Sequence, residues 1–288
     1  MAQLTDIAYV RELLARHGFS FSKKLGQNFL INPSVCPRMA AACGADQNGG
    51  AIEIGPGIGV LTRELAAVAQ KVVAIELDDR LLPVLRETLA DSPRAEVVHG
   101  DAMTLDLAAL IAEKFGGERV SVCANLPYYI TSPLIMRLLE SRLPIDTVTV
   151  MVQREAAQRL CAAPGTREAG AVTLAVAYYA EAQKLFDVSR GSFMPAPHVD
   201  SAVIRLTIRK EPPVTVADEG VMFRLIRAGF NQRRKTLHNA LSAVVSDRER
   251  LATMFEEAGV APTLRAEQLT LADFAALADA YVRSAEKV

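Results

Sequence analysis

The six residues NLPYYI at positions 125–130 combine groups that could hold and activate a flat nitrogen base. An exocyclic adenine amine is a weak nucleophile because its lone pair is delocalised into the ring. Attack on a methyl donor becomes easier when acceptors hold the amine hydrogens, as the Asn125 side-chain oxygen and the Leu126 carbonyl could do. Pro127 would fix the turn, and Tyr128 would stack on the base. The pattern predicts a base-methylation loop, with an ordinary prolyl turn over inward-packed tyrosines as the alternative.

A glycine-rich turn, EIGPGIGVLT, begins at residue 53 and contains Gly55, Gly57 and Gly59. Such a turn lets a ligand approach the backbone and directs the N-terminal amides of a helix at it. A dinucleotide fingerprint would need a third glycine where Val60 stands. The loop alone leaves S-adenosylmethionine, other nucleotides and a plain tight turn open.

Two acidic residues follow at the ends of the next two apolar runs. Glu76 lies 21 residues after Gly55, where a carboxylate can accept hydrogen bonds from ribose hydroxyls, although it could simply be solvated. Asp101, in VVHGDAM, could accept a hydrogen bond from an adenine amino group, whereas His99 is interpreted as a strand residue. Together with the glycine loop, these acids predict a pocket for an adenosine ligand without a pyrophosphate, and S-adenosylmethionine fits that description.

The elements that must position these groups alternate regularly between residues 51 and 153. Apolar runs predict strands at residues 51–54, 72–76, 96–99, 120–125 and 147–153. Helical spacing predicts helices at residues 60–69, 80–90, 107–115 and 133–140. Repeated βα units with fully apolar strands indicate a parallel sheet covered on both faces, in which ligands bind at the carboxyl ends of the strands.

The character of the chain changes after residues 211–213. Before them, FMPAPHVDSAVIRLTIR is a proline-rich loop that leads into a strand, and after them only helical patterns follow. We therefore predict an α/β domain over residues 1–210, which includes an N-terminal helical segment, and a small all-helical domain over residues 211–288.

The composition limits how the chain could contact nucleic acid, a metal ion or a membrane. The net charge of −1 and pI of about 6.5 mean that any nucleic-acid contact must come from a local basic patch. The four cysteines have no metal-ligand spacing, so we expect reduced thiols and no metal. The N-terminus lacks a signal-type apolar core, and no apolar stretch is long enough to span a bilayer. We expect a soluble cytoplasmic protein without a membrane association.

Six segments, KKLGQNFLIN, EIGPGIGVLT, AIELD, GDAM, NLPYYI and FMPAPHVDSAV, together resemble the KsgA/RsmA family of ribosomal RNA adenine N6-dimethyltransferases. The resemblance extends from about residue 23 to about residue 235 and keeps the order and spacing of the motifs. It implies a Rossmann-like S-adenosylmethionine-dependent methyltransferase. It also implies that the substrate is two adjacent adenosines near the 3′ end of 16S rRNA in the small ribosomal subunit. We expect the chain to act as a monomer.

The resemblance also assigns roles to residues. It implies that Asn28 and Leu30 cover the cofactor, that Gly55 belongs to the cofactor loop, and that Asn125 lies between the cofactor and the target base. It further implies that Phe193 closes an aromatic sandwich over the base opposite Tyr128.

A basic segment in the helical domain could hold RNA. Residues 220–246 contain no acidic residue, and their basic side chains include Arg224, Arg227, Arg233, Arg234 and Lys235. Such a run is often only a solvated helix face. Arginines in an otherwise balanced chain would nevertheless suit phosphate contacts, so we expect residues 211–288 to bind rRNA.

Three alternatives remain from the sequence. An Erm-type methyltransferase that acts on large-subunit rRNA would share the catalytic set. A DNA adenine methyltransferase would use a similar loop, but the NLPY form and the FMPAPHVDS segment argue against it. The chain could also act chiefly as a ribosome-assembly binding factor.

Overall fold

The computed structural model describes residues 4–22 and 25–286, so Lys23 and Lys24 of the first motif lie outside the described residues. The chain divides into one unit of Met1–Ala157 with Ala182–Ile208 and a second of Gln158–Glu181 with Arg209–Val288. The division near residue 208 lies close to the predicted boundary after residue 210. The sequence predicts residues 158–181 as part of the first domain, whereas in the structure they belong to the second unit.

The described strands, in chain order, are β1 (Phe29–Leu30), β2 (Gly50–Ile54), β3 (Lys71–Glu76), β4 (Ala95–His99), β5 (Val120–Asn125), β6 (Ile145–Gln153), β7 (Ala180–Val188), β8 (Phe193–Met194) and β9 (Ser201–Ile208). The described α-helices are α1 (Ile7–Arg16), α2 (Val35–Ala42), α3 (Val60–Val68), α4 (Leu82–Thr88), α5 (Leu107–Phe115), α6 (Thr131–Glu140), α7 (Arg154–Leu160), α8 (Ala171–Tyr179), α9 (Glu219–Asn231), α10 (Leu237–Leu241), α11 (Arg248–Ala258) and α12 (Leu271–Glu286).

Seven of the described strands form the main sheet in the order β4-β3-β2-β5-β6-β9-β7. The first five are parallel, and β9 runs antiparallel to β6. After β2 the chain proceeds outward through β3 and β4, and it then returns to the other side of β2 with β5. The strand order therefore reverses between β2 and β5, and the carboxyl ends of strands at such a point form a natural ligand crevice.

The predicted α/β class is confirmed, and the nine elements predicted between residues 51 and 153 appear with ends shifted by no more than two residues. Strand β2 is buried along its whole length, and β3 is buried in all but its first residue. Burial on both faces explains why these strands appear in the sequence as continuous apolar runs rather than alternating ones.

A second, two-stranded sheet was not predicted. Strand β1 pairs antiparallel with β8, with Leu30 opposite Phe193 and Phe29 opposite Met194. The Ile31 amide extends this pairing by donating to the Ser192 carbonyl at 2.9 Å. Two motifs that are distant in the sequence, QNFL and FMPAP, are thereby joined.

The helical unit has its own core. Helix α9 packs against α8, α10 and α12, and α11 packs against α12. Met222, Leu225 and Phe274 are fully buried there. Among the described residues, none of the helices combines the length and the apolar character needed to cross a membrane.

Candidate active site

A cavity opens where β2, β3 and β5 end, and it encloses about 1070 Å³, part of which is open to solvent. Its wall includes every residue predicted from the sequence to bind cofactor or take part in catalysis. These residues are Asn28, Leu30, Gly55, Glu76, Asp101, Asn125, Leu126, Pro127, Tyr128 and Phe193. The fold thus brings the whole predicted set, apart from the basic residues, to one place.

The glycine loop between β2 and α3 forms part of this wall with its backbone. Gly55 has φ +72° and Gly57 has φ +59°, a region that side-chain-bearing residues rarely adopt. A Cβ atom at Gly57 would also lie 3.1 Å from Cε1 of Phe29, which is tighter than ordinary packing. Glycine is therefore required at position 57 by both conformation and space.

Glu76 connects this loop to the end of β3. One carboxylate oxygen accepts from the Asp78 amide at 2.8 Å, and the other accepts from the Gly57 amide at 3.3 Å. Each oxygen of a carboxylate has two lone pairs, so acceptor capacity remains for a ligand hydroxyl. Burial raises the pKa of Glu76, and the bonds from Asp78 and Gly57 offset part of that rise.

Glu53 is a cavity-wall residue that we did not single out from the sequence. It lies within β2 and is 1% exposed, and its Oε2 has no hydrogen-bond partner among the described residues. Burial, together with the charges of Glu76 and Cys43, raises the pKa of Glu53 to about 8, although the Thr62 hydroxyl opposes the rise. The sequence does contain a signal for this residue, because an acid inside an apolar strand is expected to be buried. A buried carboxyl needs a partner, and a bound ligand can supply one.

Asp101 lies at the third strand end of the wall and is half-buried. One of its oxygens accepts from the Met103 amide at 2.8 Å, which orients the carboxylate within its loop. His99 is exposed and lies 3.2 Å from the Leu77 carbonyl through Nε2. This position agrees with its interpretation as a strand residue.

The orientation of Asn125 is determined by a partner far away in the sequence. Its Nδ2 donates to the main-chain carbonyl of Asn28 at 3.2 Å. Since a carbonyl can only accept, this bond identifies the nitrogen end of the amide and leaves Oδ1 as the acceptor. Leu126 is buried, and its amide donates to the Met151 carbonyl at 3.3 Å. Pro127, at φ −55° and ψ 133°, then leads into a single 3₁₀ turn, Tyr128–Ile130.

The two aromatic residues predicted to hold a base both line the cavity. The Tyr128 hydroxyl lies 2.8 Å from the Ser201 hydroxyl, which anchors one end of the ring. Burial raises the pKa of Tyr128, so the phenol stays neutral at physiological pH. Phe193 is 4% exposed and lies beside Leu30 in the β1–β8 pair. Ser201 is fully buried, and its role became visible only in the structure.

The basic residues predicted to bind RNA lie on the helical unit and are exposed; they are Arg224, Arg227, Arg233, Arg234 and Lys235. Two of them already have partners within the helical unit: the Arg224 guanidinium lies over the Tyr281 ring, 5.3 Å from its centroid, and the Arg233 guanidinium is hydrogen-bonded. The Arg233 Nη2 donates to the carbonyls of Arg167 and Ala169 at 3.0 and 3.2 Å and lies 3.3 Å from the Glu267 carboxylate. This arginine holds the helical unit together, which makes it a weaker candidate for phosphate.

A metal site is not apparent in the described part of the chain. No three or more histidine, cysteine, aspartate or glutamate side chains come together there in a group that could hold a metal ion. All four cysteines are free thiols, and three of them are buried.

The switch-point cavity, the glycine loop and the acids on successive strands define the first unit as a Rossmann-like, S-adenosylmethionine-dependent methyltransferase sheet. Residues 18–282 match the family model described as ribosomal RNA adenine dimethylase. The chain belongs to this family.

Named relatives cover nearly the whole chain. It is 50% identical over 276 residues to ribosomal RNA small subunit methyltransferase A of Geobacillus thermodenitrificans, with 94% of each chain covered. The protein of the same name from Oceanobacillus iheyensis is 44% identical to this chain over 281 residues, with 96% of each chain covered.

Solved structures share the fold. A dimethyladenosine transferase from Plasmodium falciparum gives a TM-score of 0.75 at 25% identity, covering 89% of this chain and 98% of that one. The 23S rRNA methyltransferase ErmE gives a TM-score of 0.68 at 28% identity, covering 88% of this chain and 100% of that one.

The first prediction concerns Glu76. Glu76→Ala should weaken S-adenosylmethionine binding by about 1.5–3 kcal/mol, the range for a hydrogen bond to a charged group. Glu76→Gln should lose less, because an amide oxygen can still accept from a hydroxyl or from one backbone amide. Calorimetric titration of both variants, with thermal melting to confirm folding, would measure this difference. Unchanged dissociation constants in both variants would show that Glu76 does not contribute to S-adenosylmethionine binding.

The second prediction concerns pH. Because the pKa of Glu53 is raised to about 8, its carboxylate forms only as the pH rises toward that value. A cationic ligand prefers the carboxylate, so affinity for S-adenosylmethionine should increase between about pH 6 and about pH 8, by at most about tenfold per unit. Glu53→Gln should lose this dependence. Identical pH profiles for the two proteins would contradict a role for Glu53.

Proposed function

We propose that this chain transfers methyl groups from S-adenosylmethionine to the N6 amines of two adjacent adenosines near the 3′ end of small-subunit (16S) rRNA, giving N6,N6-dimethyladenosines. The observation that carries the proposal is the orientation of Asn125, whose oxygen is left available in the same cavity as Glu76 and Asp101. Relatives named for the small subunit, at 44–50% identity over nearly the whole chain, support this choice of substrate.

The wall of the cavity suits the cofactor. The Gly55 backbone lets it approach closely, Glu76 accepts from the ribose hydroxyls, and Asp101 accepts from the adenine amine. Asn28 and Leu30 cover it from the β1 side. S-adenosylmethionine supplies an electrophilic methyl group on a sulfonium. The buried carboxyl of Glu53, with its unpartnered oxygen, suits a ligand that carries positive charge.

Asn125 and Leu126 act on the target amine. In the first transfer, the Asn125 Oδ1 and the Leu126 carbonyl each accept one N–H of the amine, which draws the nitrogen out of conjugation and directs its lone pair. The monomethylated amine has one N–H left, so one of the two acceptors holds it in the second transfer. For each methyl gained, the amine forms one N–C bond while the S–C bond of the sulfonium breaks with its electron pair on sulfur, which leaves S-adenosylhomocysteine. The amine then gives up one proton. Neither acceptor is basic enough to take that proton, so it passes to water.

Tyr128 and Phe193 hold the base after it has left its stack. Extrusion of a base costs a few kcal/mol, and stacking on aromatic rings recovers roughly 1–3 kcal/mol per base. Ser201 holds the Tyr128 hydroxyl, and the pairing of β1 with β8 holds Phe193. Both rings are therefore in place before the base arrives.

The helical unit supplies the phosphate contacts in this proposal. Arg224, Arg227, Arg234 and Lys235 are exposed cations within one acid-free segment. Arginine and lysine side chains of this kind position an RNA by its backbone without reading its sequence. Because Arg233 already bonds two carbonyls, we assign it to structure rather than to RNA.

We also propose that the chain works as a monomer in the cytoplasm, on the small subunit or its precursor. A role in small-subunit assembly is compatible with catalysis by the same site. The similarity to ErmE makes large-subunit rRNA the rival substrate. Methylation assays on unmethylated small and large subunits side by side would decide, and activity on the large subunit alone would contradict the proposal.

The third prediction separates chemistry from binding. Asn125→Ala should lower the single-turnover methylation rate of purified small subunits by about 10²–10³, the usual effect of losing one preorganised acceptor. Asn125→Asp keeps the oxygen acceptor but loses the donor to Asn28, so it tests orientation. Saturating enzyme and saturating S-adenosylmethionine isolate the chemical step. A near-normal rate in Asn125→Ala would reduce the loop to a structural turn.

The fourth prediction concerns RNA affinity. The triple variant Arg227→Ala, Arg234→Ala, Lys235→Ala should bind small subunits more weakly at low salt, with unchanged cofactor affinity. The difference from wild type should shrink as salt rises, because each lost phosphate contact reduces the salt dependence by about one unit of slope. Arg233→Ala provides the comparison, since it should lower thermal stability more than RNA affinity. Wild-type binding by the triple variant at low salt would show that the segment is only a solvated face.

A further inference from the structure

Tyr129 has an unusual position for a large aromatic residue. It is 57% exposed, yet it lines the same cavity as Tyr128, its half-buried neighbour in the chain. Aromatic rings bury a large apolar area when they pack, so an exposed ring that lines a binding cavity offers a face for contact with a ligand. The site described above leaves Tyr129 without a role.

The ring is nevertheless held in place. Tyr129 is the middle residue of the 3₁₀ turn Tyr128–Ile130, which the Ile130 amide closes on the Pro127 carbonyl at 3.2 Å. Its Cδ1 and Cε1 atoms lie 3.6 Å from where a Cβ of Gly26 would stand, so the ring lies over the Gly26 backbone with room for one methyl group between them. Gly26 has φ +62°, a value that favours glycine at this contact.

The same backbone segment also supports the catalytic loop. The Gly26 carbonyl accepts from Asn28 Nδ2 at 3.0 Å, and the Asn28 carbonyl accepts from Asn125. A ring that is carried by a closed turn beside this segment needs little backbone ordering on contact with a ligand. Tyr129 is thus a preorganised aromatic surface one residue away from Tyr128, which is assigned to the target base.

We propose that Tyr129 stacks on the base next to the target adenosine in the rRNA strand; this rests on the proposed function. When one base is extruded from its stack, the neighbouring base loses a stacking partner on that side. An aromatic ring at the cavity mouth replaces that partner, and it accepts any base because every base has a π-face. Tyr129 therefore contributes substrate affinity and contributes neither to cofactor binding nor to the methyl-transfer step.

The test compares Tyr129→Leu, which keeps an apolar side chain without a π-face, with Tyr129→Phe, which keeps the ring. Steady-state methylation of unmethylated small subunits should show KM raised about 5- to 150-fold in the leucine variant, the range that a lost stack implies. The phenylalanine variant should keep the wild-type KM. Both should keep the wild-type kcat and S-adenosylmethionine dissociation constant.

A second measurement does not depend on methylation. A short RNA strand with 2-aminopurine beside the target adenosine should lose fluorescence on binding wild type and Tyr129→Phe, and should lose much less on binding Tyr129→Leu. A wild-type KM and equal quenching in the leucine variant would overturn the proposal, as would equal losses in both variants. A weakened cofactor affinity in the leucine variant would place Tyr129 in the cofactor wall instead and would also overturn it. Inactivity of the wild type on small subunits would instead contradict the proposed function.

Discussion

The hydrogen bond from the Asn125 side chain to the Asn28 carbonyl determines which end of the Asn125 amide is left as an acceptor. A side-chain amide has a donor end and an acceptor end of nearly the same shape, so position alone does not determine its chemistry. The main-chain carbonyl selects the nitrogen, and the oxygen stays available. The chemistry proposed for the NLPY loop depends on this selection, because an amine can be held only by an acceptor.

The segment that supplies this carbonyl is itself tied to two other parts of the sheet unit. Gln27 Nε2 donates to the Asp78 carboxylate at 2.8 Å, just beyond the end of β3. Leu30 pairs with Phe193 across the β1–β8 sheet. The residues proposed to cover the cofactor and to orient the amide therefore share one short stretch of backbone, and that stretch also pairs with Phe193, which is proposed to hold the base. A displacement of that stretch would affect all three roles together.

Burial of two carboxyl groups in the cavity wall costs electrostatic free energy. Glu53 and Glu76 are both buried, and the charge of Glu76 contributes to raising the pKa of Glu53 to about 8. A carboxyl whose pKa is higher in the folded state binds its proton more tightly there than in the unfolded chain. Its contribution to stability is therefore greatest at low pH and declines as the pH rises from about 4.5 through about 8. A ligand with positive charge offsets this cost, so the buried carboxyls favour a cationic molecule in the cavity.

The sequence by itself determined the parallel sheet, the order of its elements and the residues at its strand ends. These depend on local patterns: apolar runs that must be buried, glycines that permit a turn, and a proline that restricts one. Because parallel strands end at one edge of the sheet, Gly55, Glu76, Asp101 and Asn125 could be expected to meet before any coordinates were considered.

Only the tertiary structure decided the contacts between distant segments. The β1–β8 pair is two residues long on each side, too short to leave a pattern in the sequence. Arg233 lies in the same acid-free run as its basic neighbours, and only the folded chain brings the carbonyls of Arg167 and Ala169 to its guanidinium. The partner of Asn125, the anchor of Tyr128 and the unpartnered oxygen of Glu53 are likewise set by three-dimensional proximity. A local pattern states what a residue can do, whereas its partners depend on which distant atoms the folded chain brings within hydrogen-bonding distance.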